Sequence, residues 1–152
     1  MERPELKGKA VAVGGDKKLR HGIILAKTLL AKSYGVKTGE AIWQAKVKCP
    51  DLIIIPPNYD KYLRISNLAQ KIYYSYTNQV EPYGMDECFL DISGQLRLFG
   101  SPEKIAYNIK ERMKLELKLT VSIGLSFNKV FAKLASDMRK PDFVTIIKKR
   151  KF

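Results

Sequence analysis

The chain has 152 residues, of which 45% are hydrophobic, and it carries a formal net charge of +13. This length suits one large domain or two small ones, and no segment approaches the ~18 uninterrupted apolar residues of a membrane span. The first residues are charged and lack the apolar region of a signal peptide, so the sequence predicts a cytoplasmic protein with no membrane association. Such a basic chain favours a polyanionic partner, most commonly nucleic acid, over an anionic membrane surface.

The first predicted region is small and mixed, and it ends at the double proline Pro56-Pro57, the best domain boundary in the chain. Thr28 is expected to N-cap a short helix, and Thr38 is expected to start the next one. A polar hairpin loop is predicted at 16–20. The predicted elements are strands at 9–15, 22–26 and 52–55 and helices at 28–34 and 40–48.

The second predicted region begins with a long helix whose apolar residues repeat at helical spacing. Its apolar face is formed by Tyr62, Ile65, Leu68 or Ala69, Ile72 and Tyr76. The predicted elements are helices at 59–76, 102–119 and 128–139 and strands at 80–83, 88–92, 121–125 and 144–147. This order favours an α+β fold, in which the small mixed domain is followed by a mostly antiparallel sheet covered by helices.

Several single residues receive structural interpretations. Trp43 is predicted to lie mainly in the core, and Gly124 to allow close packing of the backbone. Ser126 and Asn128 are interpreted as capping residues. The remaining cases are His21, the only histidine and therefore no basis for a histidine cluster, and Cys49 and Cys88, predicted to be reduced core thiols.

Two adjacent carboxylates, Asp86 and Glu87, follow Gly84 and lead into an apolar run. Neighbouring side chains of a regular strand point to opposite faces, but both can converge at the mouth of a strand, where the glycine has bent the chain. Two convergent carboxylates can hold a hard divalent cation such as Mg²⁺. On the dipeptide alone, a simple polar turn is an equally good interpretation.

Three motifs in sequence resemble one family. Residues 84–92 read Gly-Met-Asp-Glu-Cys-Phe-Leu-Asp-Ile and resemble the S/G-x-D-E-x-F/Y-L-D signature of Y-family (translesion) DNA polymerases, the class of DNA polymerase IV and UmuC. Residues 35–41, Gly-Val-Lys-Thr-Gly-Glu-Ala, resemble the family's G-V/I-K-x-G segment. Residues 122–141 resemble its G-I-S-x-N-K-x-x-A-K-x-A-S-D-x-x-K-P segment. The resemblance extends from about residue 4 to residue 147.

This resemblance implies a DNA-directed DNA polymerase that acts by two-metal nucleotidyl transfer in bypass or repair of DNA damage. It implies a fingers-like subdomain at 1–57, a partial palm-like subdomain at 58–147 and a basic tail at 148–152. The implied cofactor is Mg²⁺, which Mn²⁺ can replace. The implied partners are primer–template DNA, a deoxynucleoside triphosphate and, in an intact protein, a sliding clamp.

The resemblance also implies residue roles. Asp86 and Glu87 would be the catalytic metal ligands, and Asp91 would be structural, with a lysine as candidate partner. Lys32 and Lys140 occupy the family's triphosphate-binding positions, although a lysine at 32 lacks the bidentate fork of arginine. Leu29 departs from the family, which has a polar residue or tyrosine there. No DNA-binding residues are assigned.

No counterpart of the family's opening D-x-D-x-F-F strand precedes Lys7, and no thumb or little finger follows residue 147. The sequence is therefore expected to be a fingers-plus-palm fragment that lacks polymerase activity alone. A sheet missing one strand would have an unpaired edge, so self-association is also expected.

Two other functions remain open. A non-catalytic, basic nucleic-acid-binding module would show weak, salt-sensitive DNA binding without metal dependence. A palm-fold nucleotide cyclase is suggested by the likeness of residues 84–89 to G-G-D-E-F. Against the cyclase, Tyr83 replaces the first glycine, and the motif ending at Pro141 is left unexplained.

Overall fold

A computed structural model describes residues 3–15 and 22–149 of the chain. The predictions for the loop at 16–20, for His21 and for residues 150–152 of the basic tail lie outside these ranges. The chain divides into two compact units, Met1–Tyr59 and Asp60–Phe152, and each is described by itself. Both combine helices with short strands, so the predicted α+β class is confirmed. The fingers-like and palm-like assignments stay predictions.

The first unit is built on a mixed three-stranded sheet in the order β2–β1–β3. The central strand β1 pairs antiparallel with β2 and parallel with β3. The elements are β1 (Val11–Gly14), β2 (Ile24–Lys27), α1 (Leu29–Ser33), α2 (Ile42–Lys48) and β3 (Ile53–Ile55), preceded by a 3₁₀ turn at Pro4–Leu6. The core of this unit consists of small and medium side chains, namely Ala10, Ala12, Ile24, Ala31, Val36, Ala45, Cys49 and Leu52.

The start of α1 is fixed by Thr28, as predicted. Its hydroxyl oxygen accepts hydrogen bonds from the backbone N–H of Ala31 at 3.3 Å and of Val11 at 3.1 Å. The first bond caps the helix, and the second joins the cap to β1. The Thr28 side chain therefore fixes the start of α1 and also joins that start to β1.

The prediction that Thr38 starts α2 is wrong. The helix begins at Ile42, and the Thr38 hydroxyl instead accepts a hydrogen bond from Lys27 Nζ at 2.8 Å. The reason is tertiary: backbone hydrogen bonds join Gly39 to the Ile24 carbonyl at 2.8 Å and Ile24 to the Glu40 carbonyl at 2.9 Å. These bonds hold the segment against β2, so the helix begins two residues later than expected.

The core prediction for Trp43 is also wrong, because 65% of this residue is exposed. The core-facing positions of α2 are Ile42, Ala45 and Cys49, which are spaced three and four residues apart. A helix turns by about 100° per residue, so this spacing directs Trp43 away from the core. Apolar character alone did not distinguish the two faces.

As far as residue 149, the second unit contains four α-helices, a 3₁₀ turn at Ser93–Gln95 and two separate strand pairs. Its elements are α3 (Tyr59–Tyr74), β4 (Val80–Pro82), β5 (Cys88–Leu90), α4 (Leu96–Phe99), α5 (Pro102–Leu117), β6 (Ile123–Leu125), α6 (Lys129–Met138) and β7 (Val144–Ile146). In the described residues β4 pairs antiparallel with β5, whereas β6 pairs parallel with β7. The pairing is thus more evenly mixed than predicted, because α6 is the crossover that brings β7 back in the direction of β6.

The core of the second unit lies between α3 and α5. The face of α5 that enters this core carries Ile105, Ile109 and Met113, which are all buried. On α3 the buried choice is Ala69, whereas Leu68 is exposed. The Ser101 hydroxyl caps α5 by accepting the N–H of Lys104 at 3.2 Å.

Both cysteines are free thiols; Cys49 is buried and Cys88 is half-buried. Burial raises the pKa of the Cys88 thiol to about 12 and, together with the nearby Cys88, raises the pKa of Tyr73 to about 12. Both groups are therefore neutral near pH 7. Within residues 3–15 and 22–149, the structure contains no helix with the length and apolarity needed to cross a bilayer.

Candidate active site

The two adjacent carboxylates lie in the turn that joins β4 to β5. We call residues 83–87 the acidic turn. It is closed by a hydrogen bond from the Tyr83 N–H to the Glu87 carbonyl at 2.9 Å. Gly84 has φ +80°, and no atom lies within 4 Å of the position where a Cβ would stand. Glycine is therefore required here for its left-handed backbone conformation rather than for space.

The acidic turn is held from two further directions. The Ser66 hydroxyl on α3 donates to the Met85 carbonyl at 2.5 Å. The rings of Tyr83 and Phe89 lie with their centroids 5.6 Å apart on the two arms of the hairpin. The backbone that carries the carboxylates is thus tied both to a neighbouring helix and across the strands.

The two carboxylates differ in their surroundings. Asp86 is exposed. Glu87 is partly buried, and its Oε1 accepts a hydrogen bond from Lys133 Nζ at 2.6 Å. This hydrogen bond is the main cause that raises the pKa of Lys133 above its ordinary value, so the lysine is firmly cationic at neutral pH.

Lys133 lies on α6, and the position of α6 is closely fixed. The Asn128 side chain accepts the N–H of Phe131 at 2.9 Å, which confirms its predicted capping role. A Cβ on Gly124 of β6 would lie 1.8 Å from the Ala132 carbonyl oxygen, so the predicted close packing of backbone is confirmed as well. Ser126 is not a cap; its hydroxyl donates to the Ile147 carbonyl at 2.9 Å and joins the ends of β6 and β7.

Lys140 is connected to Glu87 by a series of ion pairs. Lys140 Nζ lies 2.7 Å from Asp137 Oδ1, and Asp137 Oδ2 lies 3.4 Å from Lys133 Nζ. The pKa of Asp137 is lowered, mainly by its hydrogen bond with Lys140 and also by Lys133. We call Glu87, Lys133, Asp137 and Lys140 the ion-pair chain. It links two of the residues predicted from the sequence through two that were not predicted.

Two other predicted residues, Lys32 and Asp91, are not members of the ion-pair chain. Lys32 belongs to the first unit, where it is exposed in the last turn of α1, next to the exposed Leu29. Asp91 is structural, as expected, but its partner is not a lysine: its Oδ1 accepts the N–H of Ser93 at 2.8 Å. That backbone hydrogen bond is the main cause that lowers the pKa of Asp91.

The chemistry of Asp86 and Glu87 fits a cation site that substrate completes. Among the described residues, no three or more histidine, cysteine, aspartate or glutamate side chains form a group able to hold a metal ion. Magnesium sites that act on nucleotides, however, use one or two carboxylates together with phosphate oxygens. The acidic turn supplies the carboxylates, and the nearby basic side chains of the ion-pair chain favour an anionic ligand.

Sequence reasoning missed Lys133, Asp137 and Ser66. The available signal was spacing, because Lys129, Lys133 and Asp137 follow one another at intervals of four residues and therefore share one face of α6. Lys129 forms an ion pair with Glu81, which lies on β4. In a chain with 28 Lys and Arg, such spacing was not distinctive until the helix was seen beside the hairpin.

Solved structures with a similar fold define the class of protein. A chimera of Dbh and Dpo4, described as a Y-family DNA polymerase, is similar with a TM-score of 0.89 and 27% identity, covering 97% of this chain and 44% of that one. An insertion ternary complex of Dbh DNA polymerase is similar with a TM-score of 0.87 and 27% identity, covering 96% and 43%. The fold is thus that of a Y-family polymerase domain.

The family follows from the sequence comparison. The chain belongs to the impB/mucB/samB (IMS) family, whose model matches residues 1–137. A DNA polymerase IV from Acetivibrio thermocellus is 54% identical over 149 residues, which cover 98% of this chain and 37% of that protein. The chain therefore spans a little more than a third of the length of this relative.

Proposed function

We propose that this chain supplies part of the nucleotidyl-transfer site of a template-directed translesion DNA polymerase. The single observation that best supports this function is the ion-pair chain, in which Glu87 of the acidic turn and Lys140 of the third family motif are connected through α6. Membership of the IMS family favours a polymerase over a nucleotide cyclase. The insertion ternary complex of the related Dbh DNA polymerase supports DNA and a nucleotide as the ligands.

In this function, Asp86 and Glu87 hold the divalent cation through their carboxylate oxygens. Bound Mg²⁺, or Mn²⁺ in its place, supplies neutralisation of charge on the attacking and leaving oxygens of phosphoryl transfer. Lys140 contributes an ammonium group for the triphosphate. Because lysine is a point charge, it orients the phosphates less strictly than an arginine would.

We further propose that the 152-residue chain alone does not extend a primer. The acidic turn supplies two carboxylates, and no group of three or more side chains able to hold a metal ion is present among the described residues. Two carboxylates alone hold a pair of cations poorly, because the charge on both ions must be balanced by ligands. The same proposal includes four further features of the protein. They are binding to a sliding clamp, self-association through a sheet edge, action in DNA repair and a cytoplasmic location.

The test is calorimetric binding of a deoxynucleoside triphosphate in the presence of Mg²⁺ or Mn²⁺. Glu87→Gln and Asp86→Asn keep the side-chain shape but remove a cation ligand, so each is expected to weaken metal-dependent binding by about tenfold. Glu111→Gln, on the exposed surface of α5, is the matched control and is expected to bind as the unmodified chain does. Equal binding by all four proteins would refute the assignment of the acidic turn.

A non-catalytic nucleic-acid-binding module is the second candidate, and the net charge of +13 favours it. Under that function the chain binds DNA through its phosphates without any need for a divalent cation. The calorimetric experiment separates the two, since only the polymerase function requires nucleotide binding that depends on both metal and the acidic turn.

A further inference from the structure

We propose that Lys133 is a positioning residue that holds Glu87 in place and competes with the divalent cation for its carboxylate. This inference rests on the proposed function, because it concerns the same acidic turn. It goes further in assigning a role to a side chain of α6 that is not a metal ligand. The geometry behind it is a single ammonium group placed between two carboxylates.

The first observation is the direct contact. Lys133 Nζ lies 2.6 Å from Glu87 Oε1, the distance of a strong charge-assisted hydrogen bond. The side chains of Lys133 and Glu87 retain 34% and 37% of their exposure, so the pair is reachable by ions from solvent. A cation that binds both oxygens of Glu87 must therefore displace the lysine from Oε1, and one that binds Oε2 alone lies beside the positive charge of the lysine.

The second observation is that a second carboxylate lies close to Lys133. Asp137, one turn further along α6, places its Oδ2 3.4 Å from the same ammonium group. The backbone of α6 is fixed by its close contact with Gly124, so Lys133 cannot move far if Glu87 moves away. Its ammonium group is shared between Glu87 and Asp137.

The third observation connects this choice to the triphosphate position. Asp137 is also held by Lys140 at 2.7 Å. An anion that draws Lys140 away leaves Asp137 with one cationic neighbour instead of two, and Lys133 then shifts towards Asp137. An anion at Lys140 therefore loosens the hold of Lys133 on Glu87 and favours cation binding there.

The chain offers a matched control in Lys129. It lies exactly one step of four residues before Lys133 on the same face of α6, and it carries the same charge. Its partner is Glu81, and it also lies 5.9 Å from the centroid of the Phe89 ring. Removing Lys129 changes the general electrostatic field near the hairpin without removing a contact to Glu87.

The experiment measures Mn²⁺ binding to the full 152-residue chain, without nucleotide, by electron paramagnetic resonance of the free ion. Lys133→Met is expected to tighten Mn²⁺ binding about threefold, whereas Lys129→Met changes it far less. Asp137→Asn is expected to weaken binding, because Lys133 then pairs with Glu87 alone. Lys133→Arg retains the charge and the donor, and it is expected to bind Mn²⁺ as the unmodified chain does.

A double-mutant cycle makes the result specific to Glu87. In a Glu87→Gln background, Lys133→Met is expected to lose its effect on Mn²⁺ binding, since the competition has been removed. Thermal unfolding of each variant checks that it is folded, and Lys133→Gln replaces Lys133→Met if the latter is not.

The failures are distinguishable. If Glu87→Gln weakens Mn²⁺ binding but Lys133→Met behaves like Lys129→Met, the positioning role of Lys133 is overturned and the proposed function survives. If the unmodified chain binds no Mn²⁺, or if Glu87→Gln leaves binding unchanged, the metal assignment of the proposed function is overturned as well.

Discussion

Asp86 and Glu87 are neighbours in sequence but have different electrostatic surroundings. Glu87 is paired with Lys133, whereas Asp86 is exposed at the tip of the hairpin. A cation approaching the turn therefore meets one carboxylate open to solvent and one already engaged. This asymmetry follows from position in the hairpin, and a pattern of two adjacent acids does not reveal it.

A second acidic residue, Asp142, leads to a prediction about pH. Burial of its carboxylate opposes ionisation, but ion pairs with Lys110 at 3.2 Å and Lys114 at 3.5 Å prevail and lower its pKa. Because the pKa in the folded state is below that in the unfolded state, this group stabilises the fold above about pH 4. That stabilisation is lost as the pH falls through the folded-state pKa.

Asp142→Asn is therefore expected to lower the thermal midpoint at pH 7 and to reduce its dependence on pH below about 4. Asn tolerates the left-handed φ of +56° at this position, so the backbone is kept. Lys110→Met should give a similar profile. A variant whose midpoint falls with acid as steeply as that of the unmodified chain would contradict this account.

At the scale of helices and strands, features set by local chemistry were predictable. Thr28, Ser101 and Asn128 each place a side-chain oxygen at a helix start, and all three caps are present. Thr38 has the same chemistry, but the prediction that it starts a helix was wrong. Backbone hydrogen bonds to β2 hold its segment outside the helix. The parallel pairing of β6 with β7 depends on contacts between distant segments, which periodicity does not encode.

The contact between β6 and α6 gives a sharp prediction. Gly124→Ala places a methyl group against backbone atoms of Ala132 and Ser136 that cannot rotate away, so the helix must move. We expect destabilisation of about 3 kcal/mol, measured by urea unfolding. Gly94→Ala is the control, because no atom lies within 4 Å of its Cβ position, and it should change the free energy of unfolding by less than about 0.5 kcal/mol.

At the scale of the whole molecule, the excess of positive charge was evident from composition, but its location was not. The family was identified from motifs, since these require only residue type and order. The exposure of Trp43 and the pairing of Lys133 depend on which side of a helix faces the core or the hairpin. A charge count is silent on both.

The net charge of +13 predicts salt-dependent DNA binding. The logarithm of the association constant should fall linearly with the logarithm of salt concentration, with a slope of about −0.9 per phosphate neutralised. Fluorescence anisotropy of a labelled duplex between about 50 and 200 mM salt measures this slope. Addition of a chelator should leave this slope unchanged. An association constant that does not change with salt concentration would exclude phosphate contacts as the source of the affinity.

The spacing between Lys129 and Lys133 on α6 is similar to the spacing between alternate residues of a strand. Four helical residues separate Lys129 from Lys133 by about 6 Å along the axis, and two strand residues advance by about 6.7 Å. Glu81 pairs with Phe89 across the hairpin, two positions away from the closure of the turn by Tyr83 and Glu87. The spacing along the helix and the spacing along the hairpin are therefore nearly equal. Lys129 can pair with Glu81 while Lys133 pairs with Glu87. One added residue between the lysines would rotate one of them by about 100°, so both pairs could not persist together.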